Sequence, residues 1–148
     1  MPTHFATRFR AAMAAMGRHD REFVAAMATP APQAILAVRR ALDRIRFQDV
    51  STGNPVLLLL EKSRLFWVSS YYAAECGTQA HRAELGAAIA YLLGGRSAFD
   101  KIRDPFGHGH LILEKRANEL VIRSHLDASP LVGSATAKME ASLTVPMH

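Results

Sequence analysis

Residues 56–72, VLLLLEKSRLFWVSSYY, constrain the fold of this chain more than any other stretch. Two apolar runs flank the polar Glu61-Lys62-Ser63-Arg64, and neither approaches the roughly 20 residues a membrane-spanning helix needs. A membrane is therefore not among the expected partners. Short β-type runs bounded by a polar turn predict a hairpin. With Lys62-Ser63 at the turn centre, Leu60 faces Leu65, Leu59 faces Phe66 and Leu58 faces Trp67. Both faces are then apolar, which predicts central strands covered on both sides.

The chain before this stretch follows a different period. Phe5, Phe9, Met13 and Met16 form one apolar stripe of a helix over 4–16, ending near Gly17. Asp20 can cap a second helix that turns Phe23, Val24 and Met27 inward, and Thr29-Pro30 stops it. The same pair, with Thr29 as N-cap and Pro30 at the first helical position, opens a third helix. There Ile35, Val38, Leu42 and Ile45 form an inner seam, and Arg39, Arg40, Asp43, Arg44 and Arg46 an outer face. After the predicted hairpin, a helix from Ala74 to Leu93 groups Leu85, Ala88, Ile89 and Leu92, and Gly94-Gly95 stop it. Ser97 then caps a short helix that ends before Asp104-Pro105. The glycines of GNP and LLGGRS lack phosphate-loop or dinucleotide spacing and read as turns, so no cofactor is implied.

A second hairpin follows the turn DPFG, whose Asp104, Pro105 and Gly107 suit a type I turn. Its strands, HLILEK and LVIRSHL, join through RANE and alternate more than the first pair. One face of them is expected to meet water or a partner, and the hairpin to lie near a sheet edge open to another strand at Ile112 or Ile122. Beyond Leu126 no period persists, which predicts an irregular C-terminal tail over 127–148 with one short helix near Thr136 to Leu143. At 148 residues and 49% hydrophobic, one core suffices. The expected architecture is a single α+β domain over 1–126: an antiparallel sheet of two β-hairpins with the N-terminal helices and one central helix packed on it.

Charge is distributed unevenly. Residues 1–47 carry eight arginines against Asp20, Glu22 and Asp43, while the rest of the chain holds ten basic and ten acidic residues. The net +5 of the protein thus sits in its first third. Such clustering suits nucleic acid or an acidic partner, with Arg39, Arg40, Arg44 and Arg46 as the contacting residues. A solvated helix face produces the same composition. The arginine-containing, acid-free start of the chain resembles a transit peptide in composition, but an ordinary Ala/Arg-rich first helix has the same composition and is the expected reading. Cys76 stands alone, which excludes an internal disulfide and a multi-cysteine zinc site and suits a reducing, cytoplasmic setting.

Two groups of residues carry candidate chemistry. His108 and His110 share a strand face if both are extended, at α-carbons about 6 to 7 Å apart. With Ala117-Asn118 at the turn centre, His125 lies opposite His110, and three imidazoles could hold a transition metal. A three-residue loop would instead place Ser124 there. Surface histidines are the plainer explanation. Cys76, expected at a helix start, could become a nucleophile with His110 as base in a Cys/His hydrolase. A small buried cysteine is the alternative. With no complete catalytic motif, the expected function is a non-catalytic interaction module, an adaptor, immunity or regulatory protein binding a protein partner or itself as a homodimer. Nucleic-acid binding is the second reading.

Overall fold

The computed structural model describes residues 2–29, 33–132 and 142–147. In chain order the elements are α1 (Pro2–Met27), α2 (Gln33–Thr52), α3 (Pro55–Phe99), β1 (Ile112–Arg116), β2 (Glu119–Arg123), α4 (Ser129–Val132) and β3 (Ser142–Pro146). They fall into two compact units that divide within α3, one ending at Tyr71 and the other beginning at Tyr72. The mixed helix and strand class is as expected; the first of the two hairpins is not.

Among the described residues the first unit has helices and no strand. Gly17 does not end α1, which runs on to Met27. Its inner row is Ala12, Ala15, His19, Phe23 and Ala26, at spacings of three and four, whereas Phe5, Phe9, Met13 and Val24 of the expected inner stripes face outward. In α2, Ile35, Val38, Leu42 and Ile45 are buried as the three-four-three spacing requires. Burying each such side chain contributes at most about 1.5–3 kcal/mol. Pro30, the expected opening of this helix, lies outside the described residues.

Two residues connect α2 to α3, and they replace the predicted hairpin. Gly53 leaves α2 at φ 60°, the left-handed conformation glycine tolerates. Asn54 Oδ1 then accepts hydrogen bonds from the backbone N–H of Val56 (3.1 Å) and Leu57 (3.5 Å), and Pro55 occupies the first helical turn. TGNP is thus a helix stop and a helix start. The stretch 56–72 is helical: Leu57, Glu61, Leu65, Ser69 and Ala73 are buried at a constant spacing of four. A strand would bury every second residue. The expected pairings of Leu58, Leu59 and Leu60 with Trp67, Phe66 and Leu65 do not form, and Leu59, Phe66 and Trp67 face outward. Polar residues at two inner positions disguised the helical period.

In the second unit α3 continues through Cys76, Ala80, Glu84 and Ala87 on its inner side. The predicted stop at Gly94-Gly95 is a break: Gly95 has φ 65° and ψ −157°, after which the chain turns helical again as far as Phe99. β1, β2 and β3 form an antiparallel sheet in that order. Leu113 pairs with Ile122 and Arg116 with Glu119, so Ala117-Asn118 is the turn centre and the three-residue loop is not formed. β2 is the central strand. Leu120 and Ile122 point into a core with Ala87, Ala88, Phe99 and Leu111, and Leu143 and Val145 of β3 pack against it. Ser142–Pro146 thus belongs to the sheet, where an irregular tail with a helix near Thr136 to Leu143 was expected. Residues 133–141 lie outside the described set. Ile122 is enclosed between β1 and β3, which removes it from the expected open edge.

Candidate functional site

Each helix of the first unit carries one titratable residue on its inner row. His19 sits between Ala15 and Phe23, Asp49 follows Ile45, and Glu61 lies between Leu57 and Leu65, every step four residues. Helical periodicity therefore turns all three into the interior. They remain 4%, 3% and 1% exposed. One donor atom from each lies within 4.8 Å of the other two.

The cluster is asymmetric. His19 Nδ1 lies 2.8 Å from Glu61 Oε1. Arg64 closes on the same carboxylate with a fork, Nε donating to Oε2 at 2.9 Å and Nη2 to Oε1 at 2.8 Å, and Nη1 donates to Asp20. Both oxygens of Glu61 therefore have partners. Asp49 differs: its Oδ1 faces His19 Nε2 across 3.8 Å, beyond hydrogen-bond length, and has no hydrogen-bond partner among the described residues. Burial pushes the Asp49 carboxyl above the ordinary carboxylate value, only partly offset by the neighbouring His19. Arg64 thus pairs with Glu61 inside the bundle and Asp20 at its surface, while Asp49 faces His19 alone among the ion pairs of the described residues. The arrangement can hold a proton or a cation.

In the second unit Asp104 gathers the strongest set of hydrogen bonds. Its carboxylate accepts from Phe106 N–H (3.0 Å), Ser124 Oγ (2.7 Å) and His125 N–H (2.6 Å), and His125 Nδ1 lies 2.8 Å away. Burial raises the carboxyl, but these hydrogen bonds outweigh it and hold Asp104 below the ordinary value. Glu84, fully buried, accepts from Ser124 N–H at 3.0 Å and meets His81 Nδ1 at 2.9 Å. These contacts tie a loop to the helix and sheet and leave neither carboxylate unpartnered.

The residues expected to carry chemistry are not brought together. Of the two registers the sequence allows, the one centred on Ala117-Asn118 is present, but the ladder ends at Ile112 and Arg123, so His110 pairs with Arg103 in an isolated bridge and His125 turns to Asp104. Among the described residues the converging metal donors are those of His19, Asp49 and Glu61, not those of His108, His110 and His125. Cys76 lies well inside α3 rather than at a helix start, and it is 2% exposed. Burial pushes its thiol up, opposite to what a nucleophile needs. Of the four arginines, Arg39 donates to Asp43 and Arg44 to Glu22, while Arg40 and Arg46 are exposed. At 100° per residue, Arg39 and Arg46 share one side of α2 and Arg40 and Arg44 another, so they do not form a single stripe.

Outward-facing apolar side chains are the other marked feature. In the second unit α3 exposes Leu85 (53%), Ile89 (50%), Leu92 (61%) and Leu93 (85%), while Glu84, Ala87 and Ala88 turn inward. In the first unit it exposes Leu59, Phe66, Trp67 and Tyr71. No helix among the described residues is long and apolar enough to cross a membrane. No family model, curated protein or solved structure matches this chain.

Proposed function

We propose that this protein is a non-catalytic interaction module, and that the outward face of α3 in its second unit packs against the same face of a second copy. The observation that carries this is the set Leu85, Ile89, Leu92 and Leu93, spaced four, three and one on the side opposite the sheet core. A helix that is apolar on both sides belongs where both are covered. The chain's own sheet covers one. Contiguous exposed apolar surface on a soluble domain marks an interaction site, and spacings of four and three fit the seam between two helices.

Sedimentation equilibrium of the full chain tests this against a variant with Ile89→Lys and Leu92→Lys. Both positions are exposed, so the substitutions should leave the fold intact, as circular dichroism will show. Self-association is expected for the wild type, weakened at least tenfold in the variant, about 1.4 kcal/mol or more. A wild type that stays monomeric at every concentration, or a folded variant that associates unchanged, would sink the proposal.

A further inference from the structure

We propose that His19 and Asp49 are the protein ligands of one first-row transition-metal dication, with Glu61 fixing the His19 ring from behind. Geometry supplies the first argument. Nε2 of His19 and Oδ1 of Asp49 face each other across 3.8 Å inside the bundle. That gap exceeds a hydrogen bond but falls within the roughly 4.2 Å spanned by two zinc bonds placed end to end. Two such bonds from one ion to both atoms would bridge the gap at a bent angle.

The second argument is the state of the donors. Asp49 Oδ1 is buried and lacks any hydrogen-bond partner among the described residues, a costly condition for a carboxylate oxygen. A protonated imidazole does not relieve it, because Nε2 is too distant to donate. Glu61 stands 2.8 Å from Nδ1, where it accepts the ring N–H and leaves the Nε2 lone pair free to bind. A histidine backed by a carboxylate in this way is the usual arrangement around bound zinc. Arg64 in turn donates to both oxygens of Glu61, which holds that carboxylate in place behind the ring.

Charge balance agrees. The buried carboxylates of the cluster are those of Asp49 and Glu61, and Arg64 is paired with only the second, so a cation beside Asp49 meets uncompensated acceptor charge. The imidazole and carboxylate pair favours zinc, cobalt or nickel over magnesium, which prefers oxygen ligands throughout.

The experiment is calorimetric titration of zinc into the tag-free full chain after chelator treatment, with melting temperature recorded in parallel. The expected result is one zinc per chain and a higher melting temperature, with no comparable response to magnesium. Asp49→Asn preserves shape and should lower zinc affinity at least tenfold, and His19→Gln serves the same purpose should the first variant fail to fold. Glu61→Gln should bind about 10- to 100-fold more weakly, as loss of a carboxylate behind a metal-bound histidine does. A triple variant, His108→Ala with His110→Ala and His125→Ala, should bind as the wild type does. A folded wild type that takes up no zinc, binding unchanged in Asp49→Asn and His19→Gln, uptake lost in the triple variant, or equal affinity for magnesium would each overturn the site.

Discussion

Asp104 shows how a residue that looked like a turn-former acquires a second task. Its identity suited the first position of DPFG, and its carboxylate does accept the Phe106 N–H. The bonds from Ser124 and His125, some twenty residues away, could not be read locally. Because the folded carboxyl titrates below its ordinary value of about 3.9, its stabilising effect is complete above that pH and is lost as pH falls through the lower, folded value. Asp104→Asn should therefore cost roughly 1–3 kcal/mol at pH 7 and progressively less below about pH 4. Urea denaturation at both pH values checks it; an equal cost at both would refute the assignment. The inner polar residues His19, Asp49 and Glu61 were legible only in part. Each occupies an i, i+4 row with apolar neighbours, a signal available to any helical reading. Glu61 was lost because its surroundings were read as a hairpin turn.

At the scale of elements, α2 followed from its spacing and the second hairpin from its turn, although two loop lengths left its register open and only the ladder decides between them. The failure was α3. An apolar run of five between polar residues reads equally as a strand or a buried helix, and the β-rich composition of VLLLL and LFWV favoured the wrong one. The decisive chemistry lay just before it. Asn54 accepts from two backbone N–H groups and Pro55 needs no partner, a helix start whose side-chain chemistry outweighs the β propensity that follows. Asn54 also donates through Nδ2 to the backbone oxygen of Arg8 at 3.1 Å. Asn54→Ala should lower stability by about 1–2 kcal/mol, while Asn54→Asp should recover the capping part. Chemical denaturation of the two variants separates them; equal losses would deny Asn54 its capping role.

For the whole molecule, the α+β class was legible because the order of helices and the second hairpin survives, while the count of strands was not. β3 carries no period strong enough to announce itself; it pairs because β2 offers it a ladder and Leu143 and Val145 find the core. Charge maps onto the two units: residues through Tyr71 hold ten basic and five acidic side chains, and the remainder is balanced at eight of each. The flanking of β2 on both sides also sets a rhythm for its amides. In an antiparallel strand successive N–H groups point alternately to the left and right neighbour, here β1 and β3. Amide hydrogen exchange along Glu119–Arg123 should be slow throughout in the intact chain. Loosening β3 alone, by Leu143→Pro, should speed every second amide and leave those between protected. Uniform acceleration would mean that the sheet opens as one body instead of peeling from the β3 side.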